Sequence, residues 1–353
     1  MKRFLITFLF VASAALNGAG QPVQSKPLTQ AEYVKRLYEV QKSPAAAEEL
    51  IADLRKRGID FVVTDGIRGL TTSKSRNNAE LKRALDEAGR RKSDPTAAKL
   101  PDKSESDSVI AKAREAALLA LEEMPDFVVK QQIQRSISYA GTNNFQNRDR
   151  LVVAVSYRAD GAEEYKILSV NGVLQTNPQS KRSYEEVGGT SSTGEFVTVL
   201  AKIFKPENAT EFAVSDTALI RSRNAIVFDY SIEAEKAQQA LIYGGAVSES
   251  TITGMKGKIW VDRENFRVLR IENDATSIPE AFPIRAARRV IDYDWVKINE
   301  LDYLLPSLSD VRLTIRDGRQ VYETRNLIRF KDYQKYGSEV RILDGDEEPV
   351  KDN

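Results

Sequence analysis

From Asp126 onward the apolar residues recur at every second position, and this change of period constrains the fold more than any other feature of the chain. Phe127, Val129, Ile133, Ile137 and Tyr139 fall on one face of a first strand, and Leu151, Val153, Val155 and Tyr157 on one face of the next. Such alternation buries one side of a strand. Asp160-Gly161, Asn171-Gly172 and Asp317-Gly318 each stand between strand-like runs, where Gly supplies the positive φ of a tight hairpin. Further strands are expected over 225–232, 257–262, 267–272, 290–298, 302–305, 310–316 and 321–330. Consecutive strands joined by hairpins predict one antiparallel sheet, curved or partly closed, with a few helices against a face.

One helix interrupts the strands. Ser192-Thr193-Gly194-Glu195 reads as a capping box, and Phe196, Val199, Leu200, Ile203 and Phe204 follow at helical spacing. Ahead of the sheet the period is helical throughout. Thr29-Gln30-Ala31-Glu32 forms a capping box before Val34, Leu37 and Tyr38, and Ser43-Pro44 marks a second start before Leu50, Ile51 and Leu54. After Gly58 come a short apolar stretch with Phe61, a weaker helix with Ile67 and Leu70, and a last one with Leu81, Ala84, Leu85 and Ala88. Residues 28–92 thus predict a small helical module. The polar, proline-containing stretch 93–108 reads as a linker to a helix capped near Ser108 that ends at Met124-Pro125.

The first residues carry an address. Lys2 and Arg3 precede an apolar run over 4–16, and Gly18, Ala19 and Gly20 follow, as in a secretory signal peptide. A retained anchor is the competing reading, but a span takes about 20 apolar residues. Residues 1–20 are therefore expected to be cleaved, leaving a periplasmic or secreted protein with no integral membrane segment. Cysteine and histidine are both absent, which excludes disulfides, His-based general bases, Ser-His-Asp and Cys-His nucleophiles and most zinc sites. The formal net charge of +1 argues against a nucleic-acid partner, whose footprint is a basic excess. The end of the chain, 344–353, reads as a solvated acidic tail.

Met124-Pro125-Asp126-Phe127 leading into a Gln-rich strand, the stretch GKIWVDRENFRVLRIEND over 257–274, then YDWVKIN and YLLPS over 293–299 and 303–307, resemble the LolA/RseB-like superfamily of periplasmic proteins, in particular exported Acidobacteria-type members. The stretch 194–212 resembles their central helix and the strand after it. The resemblance covers roughly 108–343, so 109–343 is expected to be a LolA-like domain. It implies an α+β fold: a curved antiparallel half-barrel sheet with helices on its concave side, here preceded by the small, mostly helical domain. It further implies a hollow in which relatives shelter acyl chains or sense lipoproteins. The extra N-terminal module and the lack of a hydrophobic cover loop depart from that pattern.

Three sets of residues invite a functional reading. The Gly188–Gly194 loop lacks the Lys of a phosphate-binding loop and reads as a flexible helix cap. Asp262, Glu264, Glu272, Asp274, Asp292 and Asp294 show no spacing that selects an acid/base pair or a calcium loop, and read as a solvated face. Phe196, Leu200, Ile203, Phe204, Phe228, Tyr230, Trp260 and Trp295 are the candidate lining of an apolar cavity, with an ordinary packed core as the alternative. Ile259, Trp260 and Val261 make both faces of one strand apolar, so a helix, the N-terminal module or a ligand must cover the second. The leading expectation is a non-catalytic envelope protein binding a lipid or lipoprotein acyl chain in the hollow, with residues 28–92 docking an envelope partner. The alternative is an adaptor or sensor with a filled core, and a carboxylate hydrolase ranks behind both. No catalytic residue, metal or cofactor is expected.

Overall fold

The computed structural model describes residues 26–43, 45–96, 98–175, 188–196, 198–244 and 248–336. The signal-peptide reading of 1–20 and the acidic tail of 344–353 lie outside the described residues.

Among the described residues, four helices come first: α1 (Gln30–Lys42), α2 (Ala46–Arg57), α3 (Asp65–Lys74) and α4 (Ala79–Ser93). The capping box at α1 is present, with Thr29 Oγ1 accepting from the Glu32 N–H at 3.2 Å and Glu32 Oε2 from the Thr29 N–H at 2.9 Å. The buried stripe of α1 is Tyr33, Leu37 and Val40, so Tyr38 points outward, where Lys74 lies 4.5 Å over its ring. Helix α2 begins after Ala45 without a side-chain cap, and Ser43 instead closes α1 through its N–H on Glu39 at 2.8 Å. Leu37, Leu50, Leu54, Leu81 and Leu85 pack into one core, in which the Tyr33 hydroxyl is paired with Thr71 at 2.8 Å. Helix α5 (Lys103–Glu122) starts inside the stretch read as a linker. Asp102 caps it by accepting from Glu105 at 2.9 Å, and its first turns are polar enough to hide the helical period.

Twelve described strands follow: β1 (Phe127–Tyr139), β2 (Gln146–Tyr157), β3 (Glu163–Val170), β4 (Val173–Leu174), β5 (Glu211–Ile220), β6 (Arg223–Ile232), β7 (Gln239–Tyr243), β8 (Glu249–Asp262), β9 (Val268–Thr276), β10 (Ile284–Ile298), β11 (Leu301–Asp317) and β12 (Gln320–Lys335). Helix α6 (Thr198–Phe204) and the single turn α7 (Ala234–Ala237) lie among them. The strands form one curved, open antiparallel sheet in the order β4-β3-β2-β1-β12-β11-β10-β9-β8-β6-β5, with β7 also paired to β8. The fold is therefore α+β, as expected. The segments 302–305 and 310–316 belong to one strand. Pro306 sits inside β11 at a bulge opposite Asp292 and Tyr293, before pairing with β12 begins at Leu308, so its missing N–H costs no ladder bond there.

Two layers of side chains cover the sheet. On one face Val109, Ala113 and Ala117 of α5 and Val199, Leu200, Ile203 and Phe204 of α6 pack on Ile226, Phe228, Ile259, Val261 and Ile271. On the other, Ala218, Ala225, Val227, Trp260 and Leu269 make a smaller apolar patch. Trp260 and Ile259 are neighbours on β8 and so face opposite ways.

Candidate functional site

The predicted cavity residues divide among these layers. Leu200, Ile203, Phe204, Phe228 and Tyr230 share one cluster, none more than 9% exposed. Phe196 belongs to the adjoining cluster, with its ring edge-on to Phe127 at 5.3 Å and to Phe330 at 5.5 Å. Trp260 lies on the opposite face, and Trp295 is 38% exposed on β10. The space between α6 and the sheet is occupied by these side chains. Within it the Tyr230 and Tyr293 hydroxyls have no hydrogen-bond partner among the described residues, and burial raises both phenols well above their ordinary range.

Three of the carboxylates read as a solvated face, Asp262, Glu272 and Asp292, are instead buried and committed to ion pairs. Asp262 pairs with Arg223 at 2.8 Å and accepts from the backbone N–H of Glu264 at 2.9 Å, closing the β8–β9 turn. Asp292 holds Arg270 at 2.6 Å, and Glu272 holds Arg288 at 3.3 Å. The Gly188–Gly194 loop is laid on the sheet, not left open. Arg135 donates to the Gly188 carbonyl, Thr190 and Asn326 side chains meet at 3.0 Å, and the Gly194 N–H donates to Glu163 at 3.2 Å. Glu163 and Glu195 face the same buried region. Burial first, then the Glu195 charge, raises the Glu163 carboxyl. Periodicity gave no sign of this pair.

What covers the Trp260 face is the helical module. Glu80 on α4 bridges Arg55 of α2 at 3.2 Å and Arg288 of β10 at 3.1 Å. Burial alone would raise the Glu80 carboxyl, but Arg288, Arg55 and Arg83 outweigh it and hold the group low. Arg83 faces Asp292, Glu272 and Glu80 with Arg270 against it, and burial foremost lowers its affinity for the proton. Farther along α4, Glu87, Arg90 and Arg91 bond to β5. Arg270 lies 5.7 Å over the Trp260 ring.

This seam is not closed. A cavity of about 870 Å3 opens between α2 and the strands, lined by Glu48, Arg55, Glu80, Glu211, Asp229, Lys256, Lys258, Glu272, Asp274 and Arg288 among others. A second, of about 450 Å3, adjoins it and takes in Lys56, Arg83, Arg91, Asp216, Trp260 and Arg270. Ala52, Arg55, Lys258 and Glu272 line both. Acidic side chains outnumber basic ones in the first lobe and basic ones outnumber acidic in the second. Of the predicted cavity residues, Tyr230 lines the first lobe and Trp260 the second, whereas Leu200, Ile203, Phe204 and Phe228 line neither. The seam can bind charged groups, and within it the Lys258 ammonium donates to the Ser215 hydroxyl at 3.3 Å while it is ion-paired with Asp229.

No family model and no curated protein matches the chain. Among solved structures, a DUF1329 family protein from Desulfovibrio piger is similar at 8% identity and a TM-score of 0.27, covering 65% of this chain and 95% of its own. The MucA/MucB complex of Pseudomonas aeruginosa is similar at 10% identity and a TM-score of 0.17, over 65% of this chain and 94% of that one. Likenesses this weak carry no weight in assigning a function.

Proposed function

We propose that this chain is a non-catalytic, exported envelope protein that works by binding a partner, with its hollow filled by its own side chains and its contact surface at the helix–sheet seam. The packing of α6 on the sheet supports this reading: Ile203 and Phe204 are fully buried, and Phe228 is 2% exposed. An acyl chain in the hollow would have to displace them, at about 1.5–3 kcal/mol of lost burial per side chain, unless the ligand restored it. The seam has volume, mixed charge and access from solvent. Its acidic and basic lobes suit an extended polypeptide segment carrying both charges, since complementary potential selects partners.

Native mass spectrometry of the mature protein from its own envelope, with organic extraction, tests the filled core: the bare mass is expected, and a discrete acyl-lipid adduct would overturn it. A photo-crosslinker at Ala52, which lines both lobes, tests the seam. It should join a discrete envelope protein, and Arg83→Glu should abolish that product.

A further inference from the structure

A third cavity, of about 530 Å3, lies at the far end of α4, walled by the turn before that helix, the loop after β1 and the faces of β1, β11 and β12. Its lining differs in kind from the seam. Arg76, Lys82, Arg312 and Arg325 supply cations, no carboxylate lines it among the described residues, and nearly all the rest are amides and hydroxyls. The one aromatic ring in that lining, Phe145, sits under both Arg312 and Arg325, whose guanidinium carbons are 5.5 and 5.8 Å from its centroid. Those two guanidinium groups are pinned from behind by Asp310, at 3.0 and 2.8 Å.

We propose that this cavity binds an acidic saccharide, a sugar carrying a carboxylate, phosphate or sulfate. Gln134 lines the cavity and is 7% exposed. Its Nε2 is used on the Asp149 carbonyl at 3.2 Å, whereas its Oε1 has no partner among the described residues. A buried acceptor left unpaired costs about 1–3 kcal/mol, and a ligand hydroxyl would relieve that cost. A fully deprotonated anion has no hydrogen to donate to it, whereas a ligand with both a negative charge and hydroxyl groups satisfies the cations and this acceptor together. Lys82 donates to Asn77 at 2.9 Å, and an ammonium has further donors to offer. Amides and hydroxyls around an aromatic face match the ring and hydroxyls of a sugar. The volume falls within the roughly 300–1,000 Å3 range of small-ligand sites. Acyl chains are a poor match, because the apolar lining is confined to Ala79, Phe145 and Leu327.

Isothermal titration calorimetry of the mature protein tests the site, using galacturonate trisaccharide, mannose 6-phosphate, a neutral galactose trisaccharide, inorganic phosphate and a short glutamate peptide. At least one acidic sugar should bind ten-fold or more tightly than the galactose trisaccharide, phosphate and the peptide. Lys82→Glu, at a half-buried position, should weaken that sugar at least ten-fold, and Gln134→Leu several-fold, where each variant keeps its circular dichroism. No heat with either acidic sugar at millimolar concentration would overturn the proposal. So would equal binding of phosphate or the peptide, or affinity untouched by Lys82→Glu. Lys82 and Gln134 line neither lobe of the seam, so Lys258→Glu in the seam should leave sugar binding unchanged.

Discussion

The carboxylate of Glu87 on α4 accepts the backbone N–H of Leu219 on β5 at 2.9 Å. Arg90, three residues on, donates to the Thr217 carbonyl at 3.0 Å and to its hydroxyl at 3.1 Å. Strand β5 is an outermost strand, so these are groups that a further strand would otherwise engage. Two side chains of a helix stand in for that strand, closing an edge and fastening the module to the sheet.

Removing both should open that edge. Each bond involves a charged, partly buried group, and the loss is expected at about 1–2 kcal/mol apiece. Glu87→Ala with Arg90→Ala should lower the urea midpoint and speed amide exchange at Leu219, and should promote self-association through β5. Glu87→Gln, which keeps an acceptor, should do much less. Unchanged exchange at Leu219 in the double variant would contradict the edge-capping role.

Gly257 and Gly69 should respond to alanine with opposite signs. A methyl on Gly257 would meet the Glu272 carbonyl carbon at 2.7 Å and the Asn273 Cα at 3.2 Å, all backbone of the neighbouring strand. Relief requires prising β8 from β9, so Gly257→Ala should cost about 3 kcal/mol or fail to fold. At Gly69, within α3, a methyl meets nothing within 4 Å, and alanine should add about 0.5–1 kcal/mol through helix propensity. Thermal melting of the two variants checks both signs.

Asp310 should be the most acid-sensitive carboxylate in the sheet. Burial would raise it, but Arg312 and Arg325 outweigh burial and hold it far below the usual carboxylate range. A depressed folded value contributes stability above the unfolded value, near 3.9, that is lost as the pH falls through the folded one. Asp310→Asn should therefore cost roughly 3 kcal/mol at pH 7, since it leaves two guanidinium groups without their anion. It should also flatten the fall in urea midpoint below about pH 4. An equally steep fall in the variant would show that other carboxylates govern acid unfolding.

The sheet was legible because its signal is local. Leu151, Val153, Val155 and Tyr157 alternate along β2, and Gly161, Gly172 and Gly318 mark their hairpins with the positive φ that Gly favours. Strand β1, by contrast, is buried on both faces, with Lys130, Gln132 and Gln134 on the face its polar residues made look solvated. The turns at Arg221-Ser222 and Asn299-Glu300 take positive φ without glycine, and of the four residues only Asn299 is of a type that favours it. Trp260 and Phe228 looked alike as aromatic strand residues, yet strand parity and pairing put them on opposite faces. The seam was least visible. Glu80, Arg83, Glu87 and Arg90 follow the pattern of a solvated helix face, and only the tertiary fold turns that face onto a sheet more than a hundred residues away in sequence.

Glu163 should show the pH dependence opposite to that of Asp310. Its carboxyl is raised by burial and by Glu195, while bonds from the Tyr165 hydroxyl and the Gly194 N–H only partly offset this. A raised folded value means the native state holds its proton more tightly than the unfolded chain, whose value lies near 4.3. The stability this provides is complete below that value and is lost as the pH rises through the folded one. Glu163→Gln keeps an acceptor for both donors and cannot ionise. The variant should match the wild type in thermal midpoint near pH 4 and exceed it at pH 8, where the wild type carries a buried charge beside Glu195. Melting both proteins across that range, with Glu195→Gln as a second way to remove the repulsion, checks the sign. A variant whose deficit grows with pH would mean that the ionised Glu163 is stabilised by a contact stronger than its repulsion from Glu195.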